Sequence, residues 1–329
     1  MANNVEKLNG IAVTDIESVN GITDDNLEAL NGEEFAGYSG INWSSDDTLP
    51  VNQGFGIKLG KVGASAIVNA NDSGATGFKV TYEHNGSSWS TGGSCATGHG
   101  VGAGGGTQTA GVIYAGWTGS DESNVTEEYN GSSWSTGNNM VQGSAYMTGG
   151  GTVQTAQLAT GGSSYGPTVR DLSMTQTYNG TNWANESVAS SGQGSATSGE
   201  AAGGGLDAFL LAGGALDAPG TQSATQLFDQ SAGTWTSKAA LGTAVRYTSS
   251  STDGTRVFKL GGYDASAPHA SDIVESWVEN SWTVENSLPA VKVAGGTGSG
   301  GLESTGGAMV IGGNSDTATT NSYFIAGLS

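Results

Sequence analysis

The sequence has little cysteine, proline or positive charge for a chain of 329 residues. With Cys95 as its one cysteine, an intrachain disulfide is excluded. Only 5 prolines accompany 57 glycines, and no Gly-X-Y period is present, which excludes a collagen-like chain. Ten basic residues stand against 30 acidic ones, a formal net charge of −20. Because this field repels phosphate backbones and anionic lipids, we expect neither nucleic acid nor a membrane surface as a partner.

The acidic excess has two interpretations. It keeps the protein soluble and apart from its own copies, or it favours neutral sugars, cations or basic protein surfaces as partners. Residues 1–10 have neither a basic start nor an apolar run. We therefore expect no signal peptide and no membrane insertion. Work outside a cell would need another route, such as release in a virus particle at lysis.

What the chain does contain is an aromatic motif that recurs along most of its length. The clearest copy, Tyr129–Trp134, has the sequence Tyr-Asn-Gly-Ser-Ser-Trp. The tryptophans of successive copies lie 45 to 52 residues apart, a period typical of propellers and solenoids. They are Trp43, Trp89, Trp134, Trp183, Trp235 and Trp282.

The segments between the tryptophans repeat in composition as well. A stretch of small residues such as 98–106 comes first, then a short apolar run such as 208–212, closed by glycine. Short apolar runs between turn residues predict strands buried on both faces. Each repeat is therefore predicted to form a small inner strand a, an apolar strand b, a strand c with an aromatic end, a tight turn and a strand d at the tryptophan.

Six apolar runs predict six blades, but the last repeat ends without its tryptophan. Its strand c contains Tyr323, whereas Trp43 is surplus at the other end of the chain. An N-terminal strand that completes the last blade explains both facts and protects the sheet edges. The prediction is an all-β, six-bladed propeller of four-stranded antiparallel blades over residues 38–329. Within it Tyr129, Tyr178, Tyr323 and the six tryptophans are structural.

The Gly-Gly pairs after strand b, the aromatic end of strand c and the following tryptophan resemble the kelch repeat of galactose-oxidase-like propellers. The resemblance covers about residues 38–329 and implies a fold, not an activity. It implies structural roles for the paired glycines as well as for the aromatic positions. These glycines are Gly213, Gly214, Gly261, Gly262, Gly312 and Gly313.

Residues 1–37 differ from the rest and repeat every 11 residues. Asn-Gly pairs at 9–10, 20–21 and 31–32 predict tight turns. The segment is either an arm packed on the main body or an arm that docks into a larger assembly. Its repeated Leu-Asn-Gly and Val-Asn-Gly resemble the start of structural proteins in tailed bacteriophages. That resemblance implies attachment to other virion proteins through residues 1–37.

The sequence contains no convincing motif for a catalytic or metal site. A galactose-oxidase copper site needs two tyrosines, two histidines and a cysteine–tyrosine link, but the histidines His84, His99 and His269 are scattered along the chain. A sialidase-like triad of Arg170, Arg246 and Arg256 is not expected, because Arg256 opens a buried strand. Residues 69–74 resemble a calcium loop only weakly and are taken as a solvated turn. We expect no enzyme activity, no cofactor and no bound metal.

The connections between strands b and c are long and dissimilar, and loops on a rigid scaffold often carry binding residues. Aromatic and polar side chains there either bind a sugar or protein or pack locally. They are Trp117, Tyr165, Arg170, Tyr263 and His269.

These observations lead to one expected function and two alternatives. The expected function is a non-enzymatic structural or adhesion protein on the surface of a bacteriophage particle, present in several copies, whose propeller contacts a host glycan, a receptor or a neighbouring protein. The first alternative is a carbohydrate-binding or glycan-active propeller at a bacterial surface. The second is an intracellular interaction scaffold.

Overall fold

The computed structural model places part of the chain, and all regular secondary structure in that part is β-strand. The described residues are 7–8, 11–12, 18–19, 22–23, 29–30, 33–34, 41–52, 54–61, 64–68, 78–164, 170–171, 173–189, 197–200, 208–215, 220–252, 256–265, 269–278, 280–290, 308–313 and 323–328. The chain forms two compact units, one of Met1–Asn42 with Leu328–Ser329 and one of Trp43–Gly327. The expected domain boundary at residues 37 and 38 remains a prediction.

The first unit contains three short antiparallel hairpins, each flanking one of the Asn-Gly pairs. Their spacing of 11 residues is that of the sequence repeat, since each repeat supplies one hairpin. The hairpins are β1 (Lys7–Leu8) with β2 (Ile11–Ala12), β3 (Ser18–Val19) with β4 (Ile22–Thr23), and β5 (Ala29–Leu30) with β6 (Glu33–Glu34).

The second unit begins within β7 (Ile41–Ser45) and continues into five antiparallel sheets in chain order. Blade 1 is β8 (Ile57–Lys61), β9 (Ala64–Val68), β10 (Thr81–His84) and β11 (Trp89–Thr91). Blade 2 is β12 (Ala103–Thr107), β13 (Ala110–Tyr114), β14 (Thr126–Tyr129) and β15 (Trp134–Thr136). Blade 3 is β16 (Thr148–Val153), β17 (Ala156–Thr160), β20 (Thr175–Tyr178) and β21 (Trp183–Asn185), with the hairpin of β18 (Ser163–Ser164) and β19 (Arg170–Asp171) inserted after β17.

Blades 4 and 5 follow the same strand order. Blade 4 is β22 (Thr197–Glu200), β23 (Phe209–Ala212), β24 (Thr225–Asp229) and β25 (Thr234–Lys238). Blade 5 is β27 (Ser249–Thr252), β28 (Val257–Asp264), β29 (Ala270–Val278) and β30 (Ser281–Val284), and the short β26 (Val245–Arg246) pairs with the far end of β28. Blade 5 is thus a five-stranded sheet.

A further sheet joins the two ends of the chain. It contains β31 (Ala308–Ile311), β32 (Tyr323–Leu328) and β7, in that order. The prediction of six four-stranded blades is therefore corrected, because five blades are complete and the remaining sheet has three described strands. Residues 294–301, predicted to form its innermost strand, lie outside the described residues. Pairing of an N-terminal strand with the last strand is present as expected.

The sheets are arranged as a ring. One strand of each sheet contacts one strand of the next, in the order β8, β12, β16, β22, β27 and β31, and β31 contacts β8 again. Small residues are needed where these strands meet. A side chain at Gly105 of β12 would place its Cβ 2.3 Å from the carbonyl oxygen of Gly151 in β16. Glycine at this position is thus a condition for close approach of the blades.

The motif tryptophans connect neighbouring blades through the indole N–H. Four of them donate to the hydroxyl of a threonine that begins strand c of the preceding blade. The pairs are Trp134 to Thr81 at 2.9 Å, Trp183 to Thr126 at 2.8 Å, Trp235 to Thr175 at 3.1 Å and Trp282 to Thr225 at 3.0 Å. Each tryptophan therefore ties its own blade to the one before it.

The two remaining tryptophans lie at the joint of the ring and bond to backbone. Trp43 of β7 donates to the carbonyl of Asn286, just after β30, and Trp89 donates to the carbonyl of Asp47, just after β7, both at 3.0 Å. In the same way Trp134 and Trp235 also donate to carbonyls just after strand d of the preceding blade. Strand β7 thus takes the place of strand d between blades 5 and 1.

Strand c contributes the aromatic partner of each tryptophan. Tyr129 pairs with Trp134 and Tyr178 with Trp183, with ring centroids 4.7 and 5.1 Å apart. In blade 1 the partner of Trp89 is His84 rather than Tyr82, which begins the motif in the sequence. Tyr323 begins β32, and its side chain lies outside the described residues.

Candidate functional site: an aromatic cluster at the ring axis

One face of the propeller carries the connections between strands b and c and those that lead into the next innermost strand. On this face four residues with side chains adopt the left-handed backbone conformation two positions before an innermost strand. They are Phe55, Val101, Tyr146 and Tyr247, with φ angles of 57°, 49°, 53° and 55°. The conformation is a recurrent feature of the repeat, but Val101 shows that the position does not require an aromatic residue.

The three aromatic members come from blades 1, 3 and 5, and their rings are in contact. The Phe55 centroid lies 5.3 Å from that of Tyr247 and 6.2 Å from that of Tyr146, both edge to face. The Tyr146 and Tyr247 centroids are 6.1 Å apart. Since the residues come from alternate blades, the rings can meet only over the axis of the ring.

A charged side chain lies beside these rings. The guanidinium carbon of Arg246 is 4.9 Å from the ring centroid of Tyr247 and 4.7 Å from that of Tyr263. Pairing of β26 with β28 sets Arg246 opposite Tyr263. His269, itself left-handed at φ 67°, stacks on Tyr263 with centroids 5.0 Å apart and an interplanar angle of 8°. We call Phe55, Tyr146, Arg246, Tyr247, Tyr263 and His269 the axial cluster.

The axial cluster is half-buried and anchored from below. Buried Ala270 packs against Phe55, Tyr247 and Tyr263. The backbone of Asp264 and that of His269 close the hairpin through a 2.9 Å hydrogen bond, which fixes the position of the imidazole. Strained backbone at several adjoining aromatic residues is a pattern often found at ligand sites.

Two of the five residues predicted for ligand binding, Tyr263 and His269, lie together in the axial cluster. Trp117 lies in another connection, in blade 2, where its backbone pairs with that of Gly100 and Glu122. Arg170 is in β19, and its side chain lies outside the described residues. Tyr165 also lies outside them.

The sequence interpretation missed Phe55, Tyr146 and Tyr247, and considered Arg246 only as part of an arginine triad. Arg256 lies at the start of β28, whereas Arg246 pairs with its far end, so these two arginines are at opposite ends of blade 5. Alignment of the repeats on their innermost strands would have placed the three aromatic residues at one position.

A second polar group lies inside blade 2. His99 Nε2 is 2.9 Å from Glu127 Oε2 and its Nδ1 is 2.7 Å from the carbonyl of Ala115. Burial raises the pKa of the Glu127 carboxyl, but hydrogen bonds from His99 and from the backbone N–H of Ala96 and Thr97 outweigh burial and lower it overall. With side chains 0% and 1% exposed, the pair braces the connection into β12 and is out of reach of a substrate.

Within the described ranges no three His, Cys, Asp or Glu side chains are grouped so that they could hold a metal ion. The weak calcium-loop candidate at 69–74 lies outside the described residues. No helix in the placed part of the chain is long and apolar enough to cross a membrane.

Comparison with known proteins identifies the fold alone. No protein-family model and no curated protein matches the sequence. The solved structure of YjhT is similar to this chain with a TM-score of 0.66 and 13% sequence identity, over 84% of this chain and 95% of YjhT. Together with the closed arrangement of antiparallel sheets, this similarity supports a β-propeller.

Proposed function

We propose that this chain is a non-enzymatic adhesion protein of a bacteriophage particle, with a kelch-type propeller that presents the axial cluster to a host-surface glycan or receptor. The observation that carries the proposal is the cluster itself. Three aromatic rings from blades 1, 3 and 5 meet on one face, with Arg246 of blade 5 beside one of them. Such groups supply contact area at low entropic cost, and they dominate binding energy in many interfaces.

Binding is favoured over catalysis by the position of the titratable groups. The buried pair His99 and Glu127 has hydrogen bonds for both imidazole nitrogens, and solvent does not reach it. His269 stacks flat on Tyr263, an arrangement that presents a surface rather than a proton donor aimed at a substrate. Accordingly, the proposal assigns no reaction and no cofactor to the axial cluster.

Residues 1–37 are proposed to attach the protein to its particle. Support comes from the three equally spaced hairpins and from the separate compact unit to which they belong. Repeated small hairpins offer equivalent edges to neighbouring virion proteins, as a docking segment in a multi-copy assembly requires.

Deletion of residues 1–37 tests this assignment. We expect the shortened protein to keep the thermal midpoint of its propeller and to be missing from purified particles, as measured by quantitative mass spectrometry. A matched variant with the Asn-Gly pairs changed to Asn-Ala separates the hairpin turns from the mere length of the arm. Normal incorporation of the deletion variant would contradict the proposal.

The alternative, a carbohydrate-binding propeller at a bacterial surface, is favoured by the same cluster and differs in where the protein resides. A glycan array distinguishes sugar binding from protein binding, with Tyr263→Ala expected to remove the signal and Trp117→Ala expected to retain it. Failure of every glycan to bind would leave a protein partner as the ligand.

A further inference from the structure

Arg246 is the arginine of the axial cluster, and no acidic side chain among the described residues forms an ion pair with it. Acidic residues outnumber basic ones three to one in this chain, 30 against 10. Nevertheless, in the described part of the structure no carboxylate lies within ion-pair distance of its guanidinium. Its Nε is buried and has no hydrogen-bond partner among the described residues. An unpaired buried donor is costly, and binding of an acceptor would remove the cost.

The guanidinium of Arg246 lies over the rings of two tyrosines. Tyr247 and Tyr263 lie within 5 Å of the guanidinium carbon, at 4.9 and 4.7 Å, and His269 packs on Tyr263. Stacking occupies the π faces of a guanidinium and leaves the in-plane N–H groups free to donate. A planar acceptor with two oxygens, a carboxylate, matches this fork.

The aromatic residues near Arg246 indicate what kind of molecule carries the carboxylate. The half-buried rings of Phe55 and Tyr146 contact that of Tyr247, which lies 4.9 Å from the guanidinium carbon. A pyranose that carries a carboxylate on its ring combines an apolar C–H face with an adjoining anion in one unit. An acidic peptide would need two separate side chains to reach the same two surfaces.

We infer that the axial cluster binds a uronate residue of a polysaccharide, with the carboxylate on Arg246 and the sugar ring against Phe55, Tyr146 and Tyr247. This inference rests on the proposed function insofar as it takes the axial face to be the glycan-binding face. It adds the class of sugar and the residue that selects it. Because the net charge of −20 repels an anionic polysaccharide at long range, recognition depends on these short-range contacts.

The test is a calorimetric titration of the full chain with a galacturonate trisaccharide and with its methyl ester, which has the same ring and no charge. We expect the acid to bind at least about tenfold more tightly than the ester, as loss of a charge-assisted bond predicts. Arg246→Gln should weaken binding of the acid by a similar factor and leave binding of the ester unchanged. Arg256→Gln, at the opposite end of blade 5, is the matched control and should change neither.

Arg246→Lys is a second variant that keeps the positive charge, and it tests the inference even if the glutamine variant fails to fold. Lysine lacks the planar fork, so partial weakening is expected with an unchanged thermal midpoint. Equal affinity for acid and ester would overturn carboxylate recognition while glycan binding by this face stands. Binding of an oligoglutamate peptide in place of either sugar would overturn the sugar assignment, and no binding of any of the three would overturn the inference. Loss of particle incorporation on arm deletion is independent of all these outcomes.

Discussion

At the scale of single residues, the motif tryptophan connects neighbouring blades by a hydrogen bond. Trp183 is the simplest case, since its indole N–H has one described acceptor, the Thr126 hydroxyl at 2.8 Å, and the ring is 7% exposed. A buried hydrogen bond between neutral groups stabilises a protein by about 1 kcal/mol net. The regularity of the motif in the sequence thus has a structural cause.

The first prediction concerns this bond. Trp183→Phe removes the donor and Thr126→Val the acceptor, and each should lower the free energy of unfolding in urea, the valine variant by roughly 1–3 kcal/mol because it leaves the indole N–H unpaired. The double variant should be less destabilised than the two single ones combined. Strict additivity would show that the two side chains do not interact.

The second prediction concerns the buried pair in blade 2. Glu127→Gln keeps an oxygen for the N–H groups of Ala96 and Thr97, as Gln176 does for Val141 and Gln142 in blade 3, but removes the buried carboxylate that lies 2.9 Å from His99 Nε2. We expect a loss of roughly 3 kcal/mol at neutral pH. Asp121→Asn, an exposed carboxylate in the same blade, should change stability by less than about 0.5 kcal/mol.

The contribution of Glu127 to the free energy of unfolding should decrease in acid. The pKa of Glu127 is lower in the folded protein than its ordinary value of 4.5, so its stabilising effect is present above pH 4.5 and is lost as the pH falls through the lower folded value. The difference between wild type and Glu127→Gln in urea unfolding should therefore shrink in acid. A difference that grows in acid would contradict the stabilising role of the ionised Glu127 carboxylate.

At the scale of strands, glycine in the innermost strands sets how closely blades approach. Gly105→Ala would force its Cβ against the backbone oxygen of Gly151, which cannot move independently of β16. We expect a loss of roughly 1–3 kcal/mol from overpacking, measured as a lower urea midpoint. At Gly137, whose Cβ would meet flexible side-chain atoms at 3.3 Å or more, alanine should be nearly neutral. Equal effects at both sites would show that convergence of the strands is not the constraint.

Strand order and the joint were predictable because both depend on composition repeated along the chain. The period of the tryptophans predicts the strands, and the surplus Trp43 predicts that β7 joins the last sheet. Two details were not predictable. The aromatic residue facing Trp89 is His84, because pairing depends on the register at the turn, whereas the sequence suggested Tyr82. The number of complete blades was overestimated from six apolar runs, since an apolar run predicts one strand and not a whole sheet.

The axial cluster was only half predictable, for a physical reason. Tyr263 and His269 belong to one of the long connections between strands b and c, where binding residues were predicted. Phe55, Tyr146 and Tyr247 are about a hundred residues apart, and only closure of the ring brings them together. Their left-handed conformation is unfavourable for aromatic residues and so leaves no signature in the sequence.

At the scale of the whole molecule, β7 determines whether the ring is closed. We predict that a chain shortened by residues 1–37 unfolds at the wild-type temperature, whereas one shortened by residues 1–45 unfolds on the order of 10 °C lower. The larger deletion removes all of β7, including the Trp43 bond to Asn286, and exposes the edge of β32. Differential scanning calorimetry of the two chains checks this, and equal midpoints would show that β7 is dispensable.

The pairing of β7 with β32 also means that the ring can close only at the end of synthesis. Among the first strands to leave the ribosome, β7 has no partner in its own sheet until nearly 280 residues later, when β32 emerges. Until then the nascent ring stays open, with unpaired edges that can capture another chain. Contacts so distant in sequence form slowly. Refolding should therefore end with a slow closing step, and a circular permutant that joins β32 directly to β7 should fold without that delay.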